Sequence, residues 1–98
     1  MTGAGQSPGE TLSRELLITN KRGLHARAAR KFVQCVETFD ADVSVTKDSL
    51  TVGGNSIMGL QMLAAMCGCS IEVSASGPQA AAALDKLDEL VSGRFGEE

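Results

Sequence analysis

The sequence predicts an α+β open-faced sandwich: an antiparallel four-stranded sheet with three helices on one face, in the order βαββαβα. Three observations carry the prediction. Around Val43 and again around Val73, apolar and polar residues alternate, the period of a strand with one buried and one wet face. In residues 26–39 and again after Pro78, apolar residues recur every three or four positions, the period of an amphipathic helix. Two strands with a polar face argue against a parallel sheet covered on both sides, and for helices gathered on one face of an antiparallel sheet.

Each element has its own signal. Residues 1–11, with Gly3, Gly5, Pro8 and Gly9, hold nothing that packs a core and read as a flexible tail, leaving 12–98 as the domain. Residues 12–19 carry the cluster Leu16, Leu17 and Ile18, bounded by Asn20 and Gly23, which is short enough for a strand. Over 26–39, Ala29, Phe32, Val33, Val36 and Phe39 form one helical face, with Arg30, Lys31, Gln34 and Glu37 between them. Ala41, Val43 and Val45 mark the second strand. A turn at Lys47, Asp48 and Ser49 lets Leu50, Thr51 and Val52 pair back as a hairpin, ending at Gly53 and Gly54. Ser56 is placed to cap a helix over 57–65, its hydroxyl accepting a first-turn N–H, and Gly59 keeps that helix short. Cys69, Ile71, Val73 and Ala75 alternate with Ser70, Glu72 and Ser74 as the last strand. Gly77 and Pro78 open the final helix, whose stripe is Ala80, Ala83, Leu84, Leu87, Leu90 and Val91, with Gly93 as its stop.

Composition excludes several functions. At 98 residues the chain is one domain, and a two-domain enzyme is ruled out. Nine basic against 12 acidic residues give a net charge of −3, which removes the electrostatic footprint of a nucleic-acid binder. Three Phe, with no Trp or Tyr, leave no platform for stacking bases. No apolar run is long enough for membrane insertion or a secretion signal, so the expected location is the cytoplasm. Three cysteines without an export signal read as reduced thiols. Cys67 and Cys69 are close together, but one histidine and no second ligand pair make no zinc site, so neither metal nor cofactor is expected. They read as turn residues, and Cys35 as a small apolar side chain on the first helix.

The chemistry centres on the single histidine. His25 falls in the N-cap region of the first helix, where its imidazole is expected to be exposed. Unpaired amides and the positive end of the helix dipole gather there, and Arg27 adds a guanidinium within the first turn. An imidazole so placed can hold a phosphoryl group whose oxygens meet the backbone amides of Ala26 and Arg27 and the Arg27 side chain. The same positive end favours the uncharged, nucleophilic ring.

The run Gly23-Leu24-His25-Ala26-Arg27, followed by Ala28-Ala29 and an amphipathic helix, resembles the active-site signature of the HPr family. These are the histidine phosphocarriers of the bacterial phosphoenolpyruvate:phosphotransferase system. Ser56-Ile57-Met58-Gly59-Leu60 resembles the family's regulatory serine segment. The likeness spans about residues 12–91, and segments 52–56 and 71–78 look most like proteobacterial members, including the nitrogen-related NPr branch. The resemblance implies that His25 accepts phosphate on Nδ1 from phosphorylated enzyme I and passes it to EIIA-type proteins, with Arg27 steadying the phosphoryl oxygens. It further implies a serine kinase/phosphorylase acting on Ser56. Two departures stand out: many members have proline where this chain has Ala28, and many serine-regulated members have lysine where it has Asn55.

Ser56 has two readings, a helix cap and a regulatory phosphorylation site, and both can hold at once. Ile57 and Met58 beside it are expected to offer an apolar docking patch near His25. The leading function is a monomeric phosphoryl carrier in sugar uptake or nitrogen regulation, closer to a protein substrate than to a stand-alone enzyme. The alternative is a regulatory binding module of the same fold acting through the Ser56 face, against which the retention of His25 and Arg27 argues. A hydrolase or redox protein would need a general base or metal cluster beside a nucleophile, and the sequence supplies neither.

Overall fold

A computed structural model describes residues 11–97. Its elements are β1 (Thr11–Leu17), α1 (Ala26–Val36), β2 (Asp42–Lys47), β3 (Leu50–Gly53), α2 (Ile57–Met62), β4 (Ser70–Ser76) and α3 (Ala80–Ser92), followed by a short 3-10 turn at Arg94–Gly96. The strands form one sheet in the order β1-β4-β2-β3, every neighbouring pair antiparallel. This is the open-faced α+β sandwich that the alternation predicts. The tail expected over 1–11 falls on residues outside those described, except Thr11, which pairs with Ser76 and so belongs to β1.

Alternation is what assigns the faces. Leu16 pairs with Ile71, and Val45 pairs with Val73, all four buried. On the other face, the hydroxyls of Ser13 and Ser74 lie 3.0 Å apart, and those of Thr46 and Thr51 2.7 Å. Phe32 from α1, Leu60 from α2, and Leu84 and Leu87 from α3 are fully buried in the same core as Ile71 and Val73 of the sheet. Burying each such side chain contributes about 1.5–3 kcal/mol. Arg14 ties β1 to α3 at the surface, with Asp85 at 3.0 Å and Asp88 at 3.2 Å.

Three helix boundaries differ from the sequence reading, each because side chains or turns take over backbone groups. The first helix ends at Val36, not Phe39: the Thr38 hydroxyl and N–H both donate to the Cys35 carbonyl, at 2.7 and 3.1 Å. Phe39 reaches the core from that tightened turn. The second helix ends at Met62 rather than Ala65, since Ala64 takes a left-handed φ of 52° while Leu63 and Ala65 stay buried. The last helix begins two residues after Pro78, because the Gln79 N–H donates to the Asp40 carbonyl at 3.0 Å and its Oε1 accepts the Asp40 N–H at 2.6 Å. Gly59 is explained by packing as well as by helix length. A Cβ there would lie 3.0 Å from Val52 Cβ and 3.0 Å from Ser56 Oγ.

Candidate functional site

The loop from β1 to α1 is fixed before it reaches the histidine. Asn20 is fully buried, and its side-chain amide donates to the Gly23 carbonyl at 2.8 Å. Gly23 adopts φ +69°, with no room for a side chain against Ala65. The next N–H, from buried Leu24, donates to the Ala65 carbonyl at 2.9 Å. His25 then takes an extended conformation and caps α1. Its Nδ1 accepts the Arg27 N–H at 3.2 Å, and its carbonyl accepts the Ala29 N–H at 2.8 Å. A helix start leaves its first N–H groups without intrahelical partners, and here the imidazole nitrogen takes one of them.

The sequence predicts an exposed imidazole, but its side chain is only 14% accessible. The reason is Glu97. One carboxylate oxygen of Glu97 pairs with His25 Nε2, and the other accepts the Asn20 side-chain N–H at 3.1 Å. Desolvation pushes the Glu97 pKa up, but the bonds to His25 and Asn20, and the charges of His25 and Arg22, outweigh it and hold the carboxyl below its ordinary value. Glu97 arrives there through Arg94, Phe95 and Gly96, at φ 58°, 55° and 77°. Phe95 is fully buried, and its carbonyl accepts the Lys31 ammonium at 2.6 Å.

Beside His25 lies an open pocket of about 330 Å³ lined by Arg22, His25, Ala26, Arg27 and Arg30. Arg22 and Arg27 also line its neighbour, together with Lys21 and Glu97. Three arginine residues lining a pocket beside an imidazole and a helix start can attract a doubly charged anion. Sequence reasoning names Arg27 alone. Arg30, one helical turn after Ala26, carried a readable signal, whereas Arg22 and Glu97 depend on how the loop and the last turn fold.

Ser56 caps α2, its Oγ accepting the Gly59 N–H at 2.9 Å. Ile57 is half-buried and Met58 is 76% exposed. Met62 and Met66, which the sequence reading passes over, are also exposed and extend the apolar surface. This surface adjoins the histidine loop, since a Cβ on Gly23 would sit 3.0 Å from Met66 Cα. Cys67 is exposed and Cys69 half-buried, in the turn before β4. Among the described residues no group of three His, Cys, Asp or Glu side chains could hold a metal ion, and no helix is long and apolar enough to cross a membrane.

An imidazole capping a helix beside an arginine-lined pocket, on an open-faced sandwich, is the arrangement of a histidine phosphocarrier. Residues 12–93 match the family described as the PTS HPr component phosphorylation site. The phosphocarrier protein HPr of Neisseria meningitidis serogroup A is 48% identical over 86 residues, 88% of this chain and 97% of that one. The phosphocarrier protein NPr of Shewanella violacea is 38% identical over 86 residues, 88% of this chain and 94% of its own. HPr of Thermoanaerobacter tengcongensis superposes with a TM-score of 0.85 at 38% identity, covering 89% of this chain and 98% of that one. The chain belongs to the HPr phosphocarrier family.

Proposed function

We propose that His25 accepts a phosphoryl group from phosphorylated enzyme I on Nδ1 and passes it to EIIA-type proteins. The observation that supports this most is the N-cap geometry: Nδ1 lies 3.2 Å from the Arg27 amide nitrogen at the start of α1. The Nδ1 lone pair attacks phosphorus. The new N–P bond forms as the donor's bond to phosphorus breaks, and the electron pair of the broken bond leaves with the donor. The Arg27 N–H, released from Nδ1, turns to a phosphoryl oxygen, and the Ala26 N–H and Arg27 guanidinium take the others. Transfer onward reverses these steps on the acceptor. No metal or cofactor enters the cycle, which runs in the cytoplasm.

The carrier works as a monomer, and Ile57 and Met58 dock its partners. Phosphorylation of Ser56 by a serine kinase/phosphorylase regulates that docking. Met58, exposed beside the Ser56 cap, supports this reading. Incubation with phosphoenolpyruvate and enzyme I tests the carrier function: one phosphate is expected at His25, labile in acid and stable in base. An acid-stable phosphate, or equal labelling of His25→Ala, would overturn it.

A further inference from the structure

We infer that Cys67 and Cys69 form a redox-active dithiol, which a low-molecular-weight disulfide oxidises to a Cys67–Cys69 bond in the turn bonded to the histidine loop. The two thiols flank Gly68 just before β4, and the Cys69 N–H closes the turn by donating to the Met66 carbonyl at 2.9 Å. Residues two apart hold their Cα atoms within about 7 Å, and bending the chain brings them closer. A disulfide requires about 4.4–6.8 Å. Gly68 sits at φ +96°, and a Cβ there would meet nothing within 4 Å. No side chain stands between the two cysteines, and the approach over the glycine is open.

The two thiols differ in access, which sets the order of exchange. Cys67 is exposed, its thiol donating to the Thr19 carbonyl at a long 3.6 Å, while Cys69 is half-buried. The Cys67 thiolate attacks one sulfur of the small disulfide. A mixed disulfide forms as the reagent's S–S bond breaks, and the expelled thiolate takes up the proton that Cys67 released. The Cys69 thiolate then attacks Cys67 Sγ and expels the second small thiol. Two cysteines are oxidised, and one disulfide is reduced to two thiols. A bond bridging a single residue is strained, and strained disulfides are the readily reduced ones.

Cys35 is the internal control. It lies on α1 and lines a separate cleft with Lys31, Lys86, Glu89 and Leu90. Burial raises its pKa, against a smaller lowering by Lys86, and a thiol that keeps its proton exchanges slowly.

The turn is tied by backbone bonds to the loop that presents His25. The Gly68 N–H donates to the Ile18 carbonyl and the Ile18 N–H to the Cys69 carbonyl, both at 2.8 Å, and the Leu24 N–H donates to the Ala65 carbonyl at 2.9 Å. Closure also takes the Cys67 thiol off the Thr19 carbonyl. Strain in the turn therefore passes to residues 18–24.

Incubation of the full chain with oxidised glutathione, followed by intact mass, thiol counting and amide NMR, tests the pair. The wild type is expected to lose the mass of two hydrogens and to fall from three free thiols to one, with Cys35 the thiol that remains. Dithiothreitol should restore all three. Amide resonances of residues 18–24 should shift in the oxidised chain. Cys69→Ser should stop at a glutathione adduct on Cys67, and Cys35→Ala should close as the wild type does. A wild-type chain that keeps three thiols, accumulates the glutathione adduct, or links to a second copy would overturn the dithiol. Closure with the resonances of 18–24 unmoved would overturn its coupling to the loop. None of these readouts involves phosphoryl transfer, so the outcome is independent of the carrier reading.

Discussion

A Cβ added to Gly23 would lie 2.5 Å from the carbonyl oxygen of Ala65. The loop that presents His25 and the chain leaving α2 therefore meet where no side chain fits, at a backbone φ of +69°. Gly23→Ala combines left-handed strain with a steric overlap and should cost about 2 kcal/mol or more. In a domain of this size that lowers Tm on the order of 10 °C. The loop must shift to relieve the overlap, so His25 phosphorylation should slow as well. A melting curve unchanged from the wild type would show that the contact is not closed in solution.

Arg27 is exposed, and its side chain can be removed without opening the core. Losing a charge-assisted hydrogen bond to a phosphoryl oxygen costs about 1.5–3 kcal/mol. Arg27→Ala should therefore slow transfer from enzyme I by about one to two orders of magnitude, with Tm unchanged. Rates within twofold of the wild type would remove Arg27 from the site.

The parts of this structure readable from sequence are those set by local chemistry. The alternation around Val43 and Val73 is imposed by a sheet with one wet face, and His25 as a cap follows from the residues on either side of it. The end of α1 depended on the Thr38 hydroxyl choosing the Cys35 carbonyl, a competition between neighbouring groups that periodicity does not resolve. Glu97 reaches His25 from 72 residues away, through three consecutive residues with positive φ. Two of those, Arg94 and Phe95, are residues that rarely adopt such angles. Asn20 reads as a loop residue, yet it is buried because its amide joins the two ends of that contact.

Glu97 also makes stability depend on pH. Its folded pKa lies below the ordinary carboxylate value of 4.5: desolvation raises it, but the bonds to His25 and Asn20 and the nearby positive charge prevail. A carboxyl depressed by folding contributes stability that is present above its unfolded pKa and is lost as pH falls through the folded one. The Tm difference between wild type and Glu97→Gln should thus be full above about pH 4.5 and close below it. Melting curves across an acid series measure this directly, and a gap that stays constant down to about pH 2 would contradict it.

Ser56 offers a test that separates capping from regulation. Its hydroxyl accepts the Gly59 N–H at 2.9 Å, and aspartate caps a helix about as well as serine does. Ser56→Asp should therefore melt within about 1–2 °C of the wild type, since cap exchange among these residues changes stability by only a few tenths of a kcal/mol. The consequence should fall on docking. Met58 next to it is 76% exposed, and Met62 and Met66 continue the apolar surface toward the histidine loop. A partner covering these methionines must strip water from the new carboxylate, and any acidic group it brings close is repelled. Affinity for enzyme I should drop about tenfold, the equivalent of roughly 1.4 kcal/mol, and His25 phosphorylation at limiting enzyme I should slow in proportion. At saturating enzyme I the rate should recover, because Nδ1 and the arginine pocket are untouched. Unchanged affinity with a normal melting curve would leave Ser56 a helix cap and nothing more.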